Sequence, residues 1–383
     1  MMASVVMADD GIAFDGVMAE TAPLGGTETA FVALAEALAA RGHRVEARNR
    51  CGVAIVHKGV RWAPLSRDFP RACDLYVGNR SHRVIGLVRQ ARRRVLWLHN
   101  PAFYLKKPRN LWRLAWYRPT LVVTGVYHAA TIPRWLPCGR YEIIPYGVLD
   151  RFRSAPAREP PAPRAIFTSN PLRGLDWLLD LWVARIKPAV PAAELHIYAG
   201  AAVYGLAGTP RGRRMDEVLA RADALAAFGV RRFAPAGSKA LATALSSARI
   251  MLYRGDPGET FCLALAEAQA MGVPAVVKPL GSTPERVIDG VTGRVAENDE
   301  AFVAAAVALL RDNELWRGWH LAALERQRGL NWDTVGARFE ALIPDAPYGG
   351  WPEQGSVSEA VFPCCQGGNR ENIAAEPGYP SKI

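Results

Sequence analysis

Short apolar runs recur along this chain, and stretches with helical spacing separate them. Residues 4–7, 53–56, 75–77, 95–98 and 121–123 are runs of three or four residues dominated by Val, Leu and Ile. Runs this short form strands rather than helices, and runs without polar alternation are covered on both faces. Between the first two, residues 29–40 place apolar side chains at helical spacing and end at Arg41-Gly42, a C-terminal stop signal. Strands alternating with helices specify a parallel sheet with helices packed on both faces.

The alternation breaks at residues 149–164, where Pro156, Pro160, Pro161 and Pro163 mark a linker. It restarts with strand-like runs at 165–169, 195–198, 249–253 and 274–278, and residues 331–343 read as a last amphipathic helix. The expected organisation is therefore an α/β domain over 1–155, a second over 156–343, and a flexible tail over 344–383, where Pro, Gly, Ser and Asn replace periodicity. A length of 383 residues accommodates two such cores and a remainder. No run approaches ~18 apolar residues, and the opening lacks the basic start and long apolar stretch of a signal peptide, so a cytoplasmic protein is expected. The six cysteines show no ligand spacing, which predicts free thiols and no zinc site. The first strand is not followed by G-x-G-x-x-G, which argues against a dinucleotide dehydrogenase.

The most informative stretch begins at Arg254. A strand ends, a Gly/Pro turn follows, and Thr260 is expected to open a helix running to Met271, before Gly272 and another strand. Glu259 and Glu267 stand eight residues apart, a span of roughly 12 Å along a helix. Two carboxylates so placed suit the two ends of an elongated polar ligand, because a carboxylate accepts two hydroxyl hydrogens at once. The free amides near Phe261, Cys262 and Leu263 offer an anion site. Taken alone, the pair better fits a helix cap at Glu259 and a solvated Glu267, since two acids at this spacing are common.

Several segments, in order, resemble the retaining glycosyltransferases of family 4, which share the two-domain GT-B fold. They are Gly25-Gly26-Thr27-Glu28, His99 in Leu96-Trp97-Leu98-His99-Asn100-Pro101, Ile144-Pro145-Tyr146-Gly147-Val148, Arg173-Gly174, the Glu259/Glu267 pair, and the loop from Gly281, Ser282 and Thr283. The resemblance covers residues 3–343 and implies two Rossmann-like α/β domains facing across a cleft. It implies transfer of a sugar from a nucleotide-sugar donor to an acceptor hydroxyl with retention of configuration. Glu267 would then hold the ribose hydroxyls and Glu259 those of the donor sugar. Arg173 would neutralise the diphosphate, and the Gly25-Gly26 loop would let backbone approach phosphates and acceptor. His99 would contact the donor sugar near the reacting carbon, its carbonyl stabilising positive charge there. Charge on the diphosphate would stabilise the leaving group, so no metal or other cofactor is expected. One departure stands out: Thr168 occupies the place of an Arg that usually precedes the Lys-Gly pair, with Lys278 and Arg254 as candidate replacements.

The net charge of +11 is unevenly spread. Residues 1–150 hold 21 basic and 11 acidic side chains, whereas 151–383 hold 26 and 25. Residues 75–141 contain 13 Lys and Arg and no acid, interleaved with Trp112, Trp116 and Tyr117. Such a mixture suits an anionic membrane surface or a lipid-linked or glycan acceptor; solvated arginines over core aromatics would give the same composition. No nucleic-acid-binding motif accompanies it, so no nucleic acid partner is expected. The expected setting is bacterial cell-surface glycan or lipid-linked saccharide synthesis. The competing readings are a non-catalytic nucleotide-sugar or carbohydrate binding protein of the same fold and, behind it, a nucleotide-sugar epimerase.

Overall fold

A computed structural model describes residues 2–65 and 68–344. The tail expected over 344–383 lies, beyond Pro344, outside the described residues. Eight strands form the first sheet: β1 (Ser4–Ala8), β2 (Arg44–Asn49), β3 (Ile55–His57), β4 (Val60–Pro64), β5 (Ala72–Asn79), β6 (Gln90–Trp97), β7 (Thr120–Val123) and β8 (Tyr141–Ile143). Their order is β3-β4-β2-β1-β5-β6-β7-β8. All neighbours run parallel except the β3–β4 pair. β1 lies inside the sheet, and Val5, Val6, Met7 and Ala8 are all buried, the continuous apolar pattern of a strand covered on both faces.

The second sheet contains β9 (Arg164–Phe167), β10 (Glu194–Tyr198), β11 (Val230–Phe233), β12 (Ile250–Tyr253), β13 (Ala275–Val277) and β14 (Gly293–Val295). Its order is β11-β10-β9-β12-β13-β14, all parallel. In each sheet the chain order reverses at the first strand, β1 or β9. Ligands of open α/β sheets bind beyond the carboxyl ends of strands at such points.

Five strands lie outside the apolar runs of the sequence. β2 reads R-V-E-A-R-N because its charges find partners within the sheet: Arg48 donates to the Glu46 carboxylate and to the carbonyls of Pro64 and Asp68. β4 alternates its exposed Arg61 with buried Val60 and Trp62. β8, β11 and β14 are edge strands, where one flank needs no neighbour.

The helix Gly26–Ala40 buries Ala30, Phe31, Leu34, Ala35 and Leu38 on the first sheet. Phe31 meets Phe14 edge-on at 5.4 Å and lies 6.2 Å from Trp62. The last described helix, Trp332–Glu340, follows the second sheet in sequence yet packs against Gly26–Ala40. Arg41 pairs with Asp333 at 2.9 Å and Glu340 at 2.6 Å, and Phe339 sits 5.2 Å from Trp97. Burying Trp332, Val335 and Phe339 there removes apolar area worth roughly 2 kcal/mol each. The proline-rich segment is tied down too, Arg158 donating to Met271 O at 2.7 Å. Among the described residues no helix is long and apolar enough to cross a membrane.

Candidate active site

A cleft of about 490 Å3 opens where the carboxyl ends of the two sheets face each other. Its walls bring together Gly25, Gly26, His99, Arg173, Glu259, Phe261, Cys262, Leu263 and Glu267, which the sequence scatters over more than two hundred residues.

Glu259 does not cap the following helix. It sits in a turn, its amide donating to Asp256 O at 2.8 Å, while its Oε2 accepts from Tyr253 OH at 2.7 Å and from the Arg173 guanidinium. Burial alone would lower Arg173, but the adjacent Glu259 carboxylate outweighs it and raises the guanidinium above its ordinary value. Gly174, with φ 91°, lets the chain turn into the helix Leu175–Leu181 directly after Arg173.

The helix expected from Thr260 starts three residues later and spans Leu263–Ala270. The other wall of the cleft claims Thr260: its hydroxyl donates to His99 O at 2.8 Å, and its carbonyl accepts from Thr124 Oγ1 at 2.9 Å. Cys262 at the N-cap is left-handed, φ 64°, so of the three amides expected to form an anion site only that of Leu263 belongs to the helix. Glu267 lies inside this helix, 8% exposed, and faces the cleft. Its carboxyl has no hydrogen-bond or ion-pair partner among the described residues, and burial pushes it up to about 8. A solvated Glu267 is thereby excluded.

Gly281, Ser282 and Thr283, expected to touch the donor, do not line the cleft. They support the turn from behind: Ser282 N donates to Glu259 O at 3.0 Å, and a Cβ on Gly281 would stand 2.7 Å from that same oxygen. Lys278 is likewise elsewhere, paired with Asp299 at 3.0 Å, and Arg254 is not on the cleft wall either. Thr168 does line the cleft.

Arg80 on the opposite wall, with Asp9 and Asn79 buried behind it, was announced by no motif. Asp9, fully buried after β1, accepts from Arg80 Nε at 2.9 Å, Arg80 Nη2 at 2.8 Å and Gly11 N at 2.7 Å. Arg80 also pairs with Glu28 at 2.9 Å, so this guanidinium on the cleft wall is matched by two carboxylates. A Cβ at Gly25 would stand 2.5 Å from Glu28 Oε2, so any side chain there must displace the carboxylate that pairs with Arg80. His99 is 7% exposed, and its two ring nitrogens contact Tyr146 OH and Asn79 Oδ1. Burial, then Arg80 and His128, hold its pKa well below the ordinary value, so the ring is neutral. Lys58, Arg151 and Arg211 are further cations on the cleft wall. A search for Asp, Asn or Arg at strand ends or immediately after them would have found Asp9, Asn79 and Arg80 as a set. Among the described residues no group of three or more His, Cys, Asp or Glu side chains is placed to hold a metal ion.

Much of the basic segment is structural. Arg94 lies over the rings of Tyr76 and Tyr117, at 5.3 and 4.9 Å, and Arg93 donates to Leu342 O at 3.0 Å. The helix Pro108–Tyr117 is different. It buries Asn110 and Leu114 and turns Trp112 and Trp116 outward, 56% and 78% exposed, beside the exposed Arg109. Phe103, 55% exposed, extends the same aromatic group.

Residues 163–312 match the family described as glycosyl transferases group 1. A phosphatidyl-myo-inositol mannosyltransferase of Mycolicibacterium smegmatis is 32% identical over 100 residues, which are 26% of this chain and 26% of that one. The match therefore spans about a quarter of that relative. Among solved structures, sucrose-phosphate synthase of Thermosynechococcus elongatus superposes with a TM-score of 0.65 at 17% identity, over 88% of this chain and 98% of that one. Anabaena HepE in complex with UDP-glucose gives 0.64 at 12% identity, over 88% and 98%. At such identities the structural likenesses establish the shared two-domain fold.

Proposed function

The chain belongs to the group 1 glycosyl transferases of GT-B fold, and we propose that it moves a sugar from a nucleotide-sugar donor to an acceptor hydroxyl with retention of configuration. The observation that carries this reading is Glu267: a buried carboxylate, without a protein partner, facing a polar cleft. An unpaired acid in such a place costs several kcal/mol unless a ligand supplies its hydrogen bonds, and vicinal ribose hydroxyls have the right chemistry. Glu259 and Arg173 lie in the same cleft, so a ribose at Glu267 places diphosphate and sugar toward them. Arg173 and the helix-start amide of Leu263 would meet leaving-group charge. No step assigned to these residues requires a metal, and an unchanged rate in EDTA is the expected outcome.

The relative's name, a phosphatidyl-myo-inositol mannosyltransferase, supports a lipid-linked acceptor. The outward Trp112, Trp116 and Phe103 with Arg109, Lys106 and Lys107 suit a cytoplasmic enzyme resting on an anionic leaflet. Flotation with vesicles containing anionic lipid, compared with neutral vesicles, tests this. Equal flotation refutes it, and Trp112→Ser with Trp116→Ser is expected to abolish the preference.

A second reading is a binding protein without catalysis. It is favoured by the ion pair between Arg173 and Glu259, which occupies both groups, and by Thr168 in place of a second cation. Incubation with UDP-, GDP- and ADP-sugars separates the two. Nucleotide release from one donor, lost in Glu259→Ala, supports transfer. Binding by thermal shift without release, with lipid-linked polyols offered as acceptors, supports the binding protein.

A further inference from the structure

His99 ends up in one fixed protonation pattern because of residues that reach it from three other strand ends. Asp9 follows β1, Asn79 closes β5, His99 follows β6 and Tyr146 follows β8. Parallel register sets Ala8 beside Gly78 and Asn79 beside Trp97, which brings these side chains to one edge of the sheet.

The hydrogens can be assigned from the Asp9 end. Its carboxylate only accepts, and Asn79 Nδ2 donates to its Oδ2 at 2.6 Å. That orients the Asn79 amide, so Asn79 Oδ1 faces His99 Nε2 as an acceptor. The Nε2 atom therefore carries the ring hydrogen. In a neutral imidazole the other nitrogen is then an acceptor, so Tyr146 O–H donates to Nδ1. Besides Tyr146, Arg80 and His128 are the charged or titratable groups that act on the ring. His128 is neutral at pH 7, burial lowering it to about 4. The hydroxyl of Thr260 meanwhile holds the His99 carbonyl.

We propose that Asn79 and Tyr146 are positioning residues that lock His99 as the neutral Nε2–H tautomer and leave neither ring nitrogen free to act as a base. His99 then serves the proposed transfer through its fixed ring dipole and backbone, while Tyr146, 5% exposed on the cleft wall, presents its oxygen lone pairs with its hydrogen already committed. The role rests on the transfer reading; the tautomer does not.

The test joins a spectrum to kinetics on the full chain. Long-range 1H–15N correlation of 15N-labelled protein, with His99→Gln identifying the signal, is expected to show a protonated Nε2 and an unprotonated Nδ1, unchanged from pH 8 to pH 6. Asn79→Leu is expected to mix the tautomers. Whichever nucleotide-sugar the wild type turns over, Asn79→Leu and Tyr146→Phe should lower kcat about tenfold, the worth of one lost hydrogen bond, with donor KM within about twofold. Tyr146→Phe keeps the ring contact with Phe261, 4.7 Å away, and guards against misreading a folding defect. A protonated Nδ1 or an imidazolium at pH 7 overturns the tautomer. The expected tautomer with unchanged kcat in both variants overturns the positioning role. A wild type that turns over no donor while showing the expected spectrum overturns the role by removing the transfer reading, and leaves the lock standing.

Discussion

Replacing Glu267 with glutamine should make the protein more stable while weakening its hold on nucleotide. Burial raises the carboxyl to about 8 from an ordinary 4.5, and no cation or donor among the described residues offsets it. A raised acid contributes its full stability below its unfolded value and loses it as pH climbs through the folded one. Each unit of separation is worth about 1.4 kcal/mol. Near pH 4.5 the two proteins should be equally stable. At pH 7 the folded carboxyl still holds a proton that the unfolded chain has released, so wild type should be up to about 3 kcal/mol less stable than Glu267→Gln. At pH 9 both states are ionised and the gap should reach at most about 5 kcal/mol. Urea denaturation of both proteins at pH 5, 7 and 9 measures the gap directly. Equal pH slopes, or a less stable glutamine variant at pH 9, would mean that Glu267 is charged and partnered, and would refute the reasoning. Ligand reverses the balance, since ribose hydroxyls donate best to the ionised form. Nucleotide binding should release a proton and tighten as pH rises toward 8, and Glu267→Gln should lose about 2 kcal/mol of affinity.

Gly25→Ala should collide with Glu28, displace Arg80 and cut turnover with little change in stability, whereas Gly174→Ala, forced to φ 91° with its Cβ 2.6 Å from Arg254 Cβ, should lose stability by about 2 kcal/mol as well. Thermal melts beside initial rates distinguish the two. Thr260→Val leaves the His99 carbonyl without its donor, and about a tenfold loss of kcat at constant donor KM is expected. His128, lowered to about 4 by burial, contributes stability that is complete above its ordinary 6.5 and is lost as pH falls toward 4. The loss should reach roughly 3 kcal/mol, and His128→Gln should flatten urea midpoints measured between pH 7 and 4.

Most of the strands legible in the sequence are those where burial is two-sided. The runs in β1, β5, β6, β7, β9, β12 and β13 are buried on both faces, whereas β10 alternates buried Leu195 and Ile197 with half-buried His196 and Tyr198, and β3 leaves Val56 exposed. β11, with Arg231, Arg232 and Phe233 exposed at an edge, gives no such signal. The paired glutamates and Gly25-Gly26 were visible because local spacing carries them. Asp9, Asn79 and Arg80 were not, because parallel strand register assembles the cluster from positions 70 and 71 residues apart. The docking of Trp332–Glu340 on the helix Gly26–Ala40 was equally hidden: it depends on Arg41, nearly 300 residues earlier. Even the helix after Glu259 began late for a non-local reason, since Thr260 bonds to the opposite wall.

The most direct measurement is a crystal structure of the protein with the nucleotide-sugar it turns over. The expected electron density places the ribose hydroxyls on Glu267, the diphosphate at Arg173 and Leu263 N, and the sugar between Glu259 and His99. A nucleotide bound elsewhere, with Glu267 still unpartnered, would contradict the assignment of this cleft.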